Sequence, residues 1–297
     1  MSVQKASNLG KVETFETGLF LDELLGGGAM PYGYIVEFFG EKDTGKSTAA
    51  LQVIAAAQKK GDACLIVDTE FKFMPHYAEQ LGIEAGKLDV LHEPVAEKLL
   101  DELEEYIQSG KYKVIVMDSI GQLSSRIVYE KAAGEKHIGT QSSLIKAFLE
   151  KNTHHIHYRG ILFIGISHER KTMDWGKIYS LGGNKWHEKK MVSVRFRDNG
   201  ELLRRGDTVM GRTVSVRVEK NHLWGTKGKE MKLNLMNNTG FAVGTDLAQI
   251  AEQKGVITKE GQFYIFAGEK IARGKVALIE ALKDEVLRER IKTAIAA

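Results

Sequence analysis

Residues 40–47 read Gly-Glu-Lys-Asp-Thr-Gly-Lys-Ser, which matches the G-x-x-x-x-G-K-[ST] spacing of a phosphate-binding loop. The apolar run YIVEFF precedes this loop, and the helix-forming run STAALQVIAAAQKK overlaps its last residue and continues beyond it. In such a strand-loop-helix segment, successive backbone N–H groups and the positive end of the helix bind phosphate oxygens. We therefore expect Lys46 to pair with terminal phosphates and Ser47 to ligate magnesium. The alternative is a glycine-rich turn without a ligand.

The expected nucleotide-binding residues of this segment are Gly40, Glu41, Lys42, Asp43, Thr44, Gly45, Lys46, Ser47 and Thr48.

Two carboxylates follow apolar runs of strand length. The run VIVMD places Asp118 at the carboxyl end of a buried strand, where it can be the second magnesium ligand. The run LIVDTE places Glu70 two residues after Asp68, where it can orient or deprotonate water. Asp118 as a strand-end cap and Glu70 as a surface carboxylate are the alternatives. Together with the phosphate loop, these carboxylates predict phosphoryl transfer to water.

The elements that must position these residues follow from apolar periodicity. The runs YIVEFFG, ACLIVD, VIVMD and ILFIGIS read as strands, and the segments between them read as helices. This alternation predicts an α/β fold with a mostly parallel sheet flanked by helices. After residue 190, the runs MVSVRFR, RTVSVRVEKN and EMKLNLMNN predict an antiparallel extension of that sheet. From about Gly240 the pattern predicts a small α+β domain.

We therefore expect a short N-terminal segment (1–28), an ATPase core (29–240) and a small C-terminal domain (241–297). With 297 residues and 43% hydrophobic content, the chain is long enough to bury a full core. The single cysteine, Cys64, lies in an apolar run and reads as a buried thiol. No apolar run reaches the roughly 20 residues that a membrane-spanning helix needs. These features predict a cytoplasmic protein.

Several stretches together resemble the RecA family of bacterial DNA recombinases, and especially its shorter phage-borne members. GAMPYGYIVEFFGEKDTGKSTAALQVI, LIVDTEF and VIVMDSIGQL are similar to the family's Walker A segment, glutamate-bearing strand and Walker B strand. The similarity continues through GGNKWHEKKMVSVRFR, VEKN and GEKIARGK and covers roughly residues 12–290. It implies a RecA-like P-loop ATPase core that uses ATP and Mg²⁺.

The resemblance also implies roles for single residues. Glu70 would activate the attacking water, Tyr77 would stack on adenine, and Lys220 would reach ATP held by an adjacent subunit. His168 would sense the γ-phosphate, although glutamine is the family's usual residue there.

Two further positions depart from the family pattern. Met74 stands where a carboxylate commonly touches adenine, and His222 stands where a second lysine is expected. Because histidine is mostly neutral at pH 7, His222 weakens the expected charge clamp between subunits.

Basic charge is concentrated in residues 170–190, where six basic residues face two acidic ones, a local net charge of +4 in a chain of +3. Trp175, Tyr179 and Trp186 lie among these cations, and such interleaving suits single-stranded nucleic acid. The resemblance implies DNA contacts here and in a second loop at about residues 124–141. A solvated surface loop is the alternative. The candidate DNA-binding residues are Arg126, Lys131, Lys136, Arg170, Lys171, Lys177, Gly182, Gly183, Asn184, Lys185 and Trp186.

The function that the resemblance implies is ATP-dependent strand exchange on single-stranded DNA with a homologous duplex. The expected assembly is a helical filament, with single-strand-binding and loading proteins as further partners. Family members usually carry a longer N-terminal helix and strand that dock on the neighbouring subunit, whereas about a dozen residues precede the resemblance here. If this short segment cannot supply that contact, we expect assembly to depend on other surfaces or on DNA. A ring-forming motor and an ATP-switched loading adaptor are the alternative functions.

Overall fold

The structure is a computed structural model that describes residues 11–26, 30–126, 140–171, 178–241 and 245–296. Strands and helices alternate in the first half of the chain, as the apolar runs predict. The strands there are β1 (Thr14–Phe15), β2 (Met30–Pro31), β3 (Ile35–Gly40), β4 (Cys64–Asp68), β5 (Leu88–Leu91) and β6 (Val114–Asp118). The helices are α1 (Phe20–Leu25), α2 (Lys46–Lys60), α3 (Pro75–Gln80), α4 (Ala96–Ser109) and α5 (Thr140–Tyr158).

Strands predominate in the next part of the chain. The elements there are β7 (Leu162–Lys171), β8 (Ile178–Ser180), α6 (Gly183–Lys189), β9 (Val192–Arg205), β10 (Thr208–Asn221), β11 (Glu230–Met236) and β12 (Gly240–Phe241). The last segment mixes both types. Its elements are α7 (Thr245–Gln253), β13 (Ile257–Glu260), β14 (Phe263–Phe266), β15 (Glu269–Arg273), α8 (Lys275–Ala281) and α9 (Glu285–Ala296).

The central sheet has the strand order β12-β11-β10-β9-β3-β7-β6-β4-β5, and β8 pairs with β7. The pairs joining β3, β4, β5, β6 and β7 are parallel, as predicted. However, β9 joins β3 in parallel, and the antiparallel extension begins only at β10. The sequence predicted that all three late runs would pair antiparallel. The chain crosses back through α6 before β9, and such a crossover places a strand parallel to its neighbour.

Both faces of the central sheet are buried. Within β3, Val36 and Phe38 belong to one apolar cluster and Ile35 belongs to the other, because successive side chains point to opposite faces. Helix α2 covers the first face, whereas α4 and α5 cover the second. Burial on both faces explains why the parallel strands read as nearly continuous apolar runs.

Residues 245–296 bury an apolar cluster of their own, which includes Ala251, Tyr264 and Leu282. A smaller cluster joins this segment to the central sheet through Ile279, Leu203 and Met236. The predicted domain boundaries remain a proposal. Among the described helices, none is both long enough and apolar enough to span a bilayer.

Candidate nucleotide site and DNA-facing elements

The phosphate-binding loop connects the carboxyl end of β3 to the first turn of α2. Gly40 has a φ of 143°, and a Cβ there would lie 1.9 Å from the Phe196 carbonyl oxygen, so only glycine fits. Gly45 adopts a left-handed φ of 83° directly before α2. The Thr44 hydroxyl donates to the Glu41 carbonyl at 2.9 Å and closes the loop. The first N–H groups of α2 have no partner within the helix, which suits an anion.

Lys46 is the first residue of α2, and it crosses the loop that precedes it. Its ammonium donates to the Glu41 carbonyl, and the residue is only 5% exposed. Burial lowers the pKa of Lys46, although nearby carboxylates such as Asp118 oppose this shift. Lys46 is thus a largely desolvated cation, and such cations interact strongly with phosphate.

Ser47 and Asp118 meet across the sheet edge, as predicted. The Ser47 hydroxyl donates to Asp118 Oδ2 at 2.5 Å. Burial raises the pKa of Asp118 to about 6; the Ser47 bond opposes this shift, and the charges of Glu70 and Asp68 add to it. Hydroxyl and carboxylate oxygens are suitable ligands for Mg²⁺, which is usually held by one or two carboxylates together with substrate phosphates. No group of three or more His, Cys, Asp or Glu side chains that could hold a metal ion occurs in the described part of the chain.

Glu70 follows β4 and lies close to the same sheet edge. Its Oε1 accepts from the Ser119 hydroxyl at 2.9 Å, and its Oε2 lies 2.5 Å from the Lys72 ammonium. Burial alone would raise the pKa of Glu70, but the hydrogen bonds from Lys72 and Ser119 bring it below its ordinary value. Glu70 is therefore ionised at neutral pH, which is the state that a general base requires.

His168 lies on β7, with its Nε2 3.8 Å from Glu70 Oε1. Burial lowers the pKa of His168, and the positive charge of Lys46 lowers it further. The imidazole is therefore neutral at pH 7. Its Nδ1 is buried and has no hydrogen-bond partner within the described residues.

One cavity of about 900 Å³ brings most of the predicted nucleotide residues together. The predicted residues that line it are Lys42, Asp43, Thr44, Gly45, Lys46, Ser47, Thr48, Glu70, Tyr77, Asp118 and His168. Gly40 and Glu41 form the base of the loop outside this lining. The Tyr77 hydroxyl lies 2.9 Å from Thr48 Oγ1, and Met74 also lines the cavity although it is 56% exposed.

Several cavity residues carried no predicted role, among them Lys72, Arg212 and Asn238. Lys72 lies two residues after Glu70, so its position in the sequence was a usable signal. Arg212 comes from β10 and pairs with Asp198 at 3.3 Å, whereas Asn238 comes from the turn after β11. No local pattern marks these two, because distant strands bring them to the cavity.

Lys220 does not line the cavity among the described residues. Its ammonium donates to the carbonyl oxygens of His187 at 3.0 Å and Glu188 at 3.4 Å. The expected contact with ATP of an adjacent subunit remains a prediction, since one protomer alone does not test it.

The candidate DNA-binding residues that the structure describes come from three parts of the chain. Arg126 and Arg170 are exposed, and Gly182, Gly183 and Asn184 form the start of α6. The ammonium of Lys185 pairs with Glu188 at 3.0 Å. Lys131, Lys136 and Lys177 lie outside the described residues, and Lys171 is described by its backbone alone. Their predicted DNA contacts stay predictions.

The prediction that Trp186 offers its ring to DNA is wrong for this structure. The indole is 0% exposed and lies over Gly165, where an added Cβ would meet the ring at 2.3 Å. Its Nε1 donates to Glu37 at 2.6 Å. Because β7 leaves room for the ring and β3 supplies a buried acceptor, Trp186 joins the core.

Comparisons with known proteins agree with this geometry. The family model described as the RecA N-terminal domain matches residues 1–242. The Protein RecA of Mannheimia haemolytica is 33% identical over 92% of this chain and 75% of its own length. The Protein RecA of Marinobacter nauticus is 31% identical over 90% of this chain and 78% of its own length. The Protein RecA of Thioalkalivibrio sulfidiphilus is 33% identical over 89% of this chain and 78% of its own length. On this similarity, the chain belongs to the RecA family of ATP-dependent DNA recombinases.

Proposed function

We propose that this chain hydrolyses ATP in the 900 Å³ cavity and uses that cycle to control a filament on single-stranded DNA. Members of the RecA family are DNA-dependent ATPases. The observation that carries the proposal is the convergence of Lys46, the Ser47–Asp118 pair and an ionised Glu70 on one cavity. A surface turn without a ligand would not need three such groups at one place.

Lys46 and the loop N–H groups bind the phosphates in this proposal. Lys46 exchanges its contact with the Glu41 carbonyl for a terminal phosphate oxygen, which is the stronger acceptor because it is charged. Ser47 and Asp118 hold Mg²⁺, which neutralises part of the phosphate charge when it is bound. Tyr77 supports the base on the side of the cavity formed by α3.

Glu70 acts on water in this proposal. Its carboxylate accepts a proton as the water oxygen bonds to the γ-phosphorus and the bond from that phosphorus to the bridging oxygen breaks. The proton then passes to the released phosphate, so Glu70 returns to its ionised state. His168 lies between Glu70 and the start of the DNA-facing segment, which suits a sensor of the γ-phosphate.

DNA binds to basic side chains and to the glycine-rich start of α6 in this proposal. Arg126, Arg170 and Lys185 meet backbone phosphates, and Gly182 to Asn184 allow close approach. Single-stranded DNA binds first, and a homologous duplex follows. Lys220 reaches ATP across a filament interface, and the assembly acts in the bacterial cytoplasm with single-strand-binding and loading proteins.

The ATPase rate with and without single-stranded DNA tests this function directly. We expect clear stimulation by DNA, open helical filaments in electron micrographs, and joint molecules between a single strand and a homologous duplex. Closed six-membered rings would support a motor instead. Folded, nucleotide-bound protein whose ATPase ignores DNA would contradict the proposal.

A further inference from the structure

Lys72 is a cation of the nucleotide cavity that the roles above leave unused. Its ammonium lies 2.5 Å from Glu70 Oε2, and the residue lines the cavity. Its side chain is 76% exposed, whereas that of Glu70 is 14% exposed. The carboxylate is therefore held in place by the protein, while the lysine is held mainly by the carboxylate.

The backbone conformation around Lys72 favours this ion pair. The buried Asp68 carboxylate accepts from the N–H of Glu70 at 3.2 Å and of Phe73 at 2.8 Å. Phe71, between Glu70 and Lys72, adopts a left-handed φ of 55°. The two hydrogen bonds to Asp68 therefore fix both ends of the turn. The side chains of Glu70 and Lys72 line the same cavity.

Charge in the cavity gives Lys72 two competing partners. Asp118 and Asp43 also attract its ammonium, although Glu70 is the nearest anion. A bound triphosphate adds about four negative charges to the same space, whereas a diphosphate adds about three and none at the γ-position. Lys46 is buried and fixed, but the exposed stem of Lys72 can rotate at little cost.

We propose that Lys72 is a positioning residue for ATP hydrolysis, pairing with Glu70 when no γ-phosphate is present and turning to the γ-phosphate when ATP binds. This movement frees the Glu70 carboxylate to accept the proton of the attacking water. The inference rests on the proposed function, because it takes the cavity to be a site of ATP hydrolysis. It predicts that Lys72 distinguishes triphosphate from diphosphate.

The test compares Lys72→Met, which removes the charge, with Lys72→Arg, which keeps it. Lys87→Met is the matched control, since Lys87 is 67% exposed, pairs with Glu84 at 2.7 Å and does not line the described cavity. The probes are ADP and the non-hydrolysable analogue AMP-PNP, each titrated with Mg²⁺ and without DNA by calorimetry. Steady-state ATP hydrolysis with single-stranded DNA is measured on the same proteins.

We expect Lys72→Met to weaken AMP-PNP binding about fivefold to tenfold and ADP binding less than about twofold. The KM for ATP should rise by a similar factor, while kcat at saturating ATP stays within about twofold. Lys72→Arg should restore the preference for the triphosphate.

Equal losses for AMP-PNP and ADP, or a Lys72→Met protein that behaves like Lys87→Met, would overturn the inference. Failure of Lys72→Arg to restore the preference would also overturn it. Suppose that the wild-type protein hydrolyses ATP only in the presence of DNA, but that the Lys72 variants bind and hydrolyse nucleotide as the wild type does. This result would refute the Lys72 inference alone. A wild-type protein without DNA-stimulated hydrolysis would refute the proposed function itself.

Discussion

Single residues of the nucleotide cavity differ in charge state because their surroundings differ. Burial lowers the pKa of Lys46 and of His168 and raises that of Asp118 to about 6. Glu70 is the exception, since bonds from Lys72 and Ser119 outweigh its burial. A cluster of shifted groups in one cleft is typical of a functional site. The cavity therefore holds an ionised carboxylate beside a neutral histidine.

Glu70→Gln removes the proposed base and keeps the shape of the side chain. Turnover of ATP should fall by about 10²- to 10⁴-fold, because an amide cannot take the proton of water. Binding of ATP should be retained, as equilibrium titration will show. Glu84→Gln is the control, since the Glu84 side chain is 57% exposed and pairs with the surface residue Lys87. Unchanged turnover in Glu70→Gln would contradict the assigned role.

Cys64 provides a probe of the folded core. The thiol is 1% exposed, and burial raises its pKa to about 12, with the charge of Asp62 adding to the shift. At pH 8 the native protein should react with iodoacetamide far more slowly than protein in urea, because the thiolate is the nucleophile. Mass spectrometry of the alkylated fraction measures this difference. Equal rates would show that β4 is not buried as described.

At the scale of elements, the side chain of Glu37 joins β3 to α6 and β9. Trp186 of α6 and Ser193 of β9 each donate to its carboxylate at 2.6 Å. Lys190 also donates to it, and this ion pair is almost fully buried. Because β3 ends in the phosphate loop and α6 starts with the Gly182–Asn184 stretch, one buried network connects both candidate sites.

Lys190→Met should lower the free energy of unfolding by about 3–5 kcal/mol, because it leaves the Glu37 charge buried without its partner. The adjacent Lys189→Met should change it by less than about 0.5 kcal/mol. Urea unfolding measures both. The double variant Glu37→Gln/Lys190→Met should lose less than Lys190→Met alone, since no unpaired charge remains. A double variant that loses more would mean that the hydrogen bonds, not the charge, dominate.

At the scale of the whole molecule, the C-terminal segment packs close to the nucleotide cavity. Ile279 of α8 belongs to the same apolar cluster as Leu203 and Met236, and Met236 also lines the cavity. The segment also buries a cluster of its own, and α7 contacts β11 and α1. The Ile279 contact is therefore one of those that attach the segment to the central sheet.

Ile279→Ala removes the largest aliphatic contribution of α8 to this contact. The substitution should lower the free energy of unfolding by about 2–5 kcal/mol, as is usual for a buried isoleucine. Hydrogen exchange should become faster in residues 275–281 and stay unchanged in β6. Val286→Ala, at a residue that is 70% exposed, should leave both exchange rates unchanged. Equal acceleration of β6 would show that segment and sheet unfold as one unit.

Features that depend on consecutive residues could be predicted from the sequence. The phosphate loop needs only residues 40–47 in order, and its strand-loop-helix context is also local. The apolar runs marked the parallel strands, and strand ends of a parallel sheet share one edge. For that reason Glu70 and Asp118 were expected together, and both line the cavity.

Features that depend on distant partners were decided only by the tertiary structure. A tryptophan among lysines has the same composition whether its ring faces DNA or the core. Trp186 is buried because Gly165 leaves space for its ring and Glu37 accepts from its indole, and both residues lie on other strands. Arg212 likewise lines the cavity because the fold brings β10, which is distant in the sequence, to the phosphate loop. The sequence by itself determined the phosphate loop and the strand-end carboxylates. The tertiary structure determined which distant side chains lie next to them, because the fold brings separate strands together.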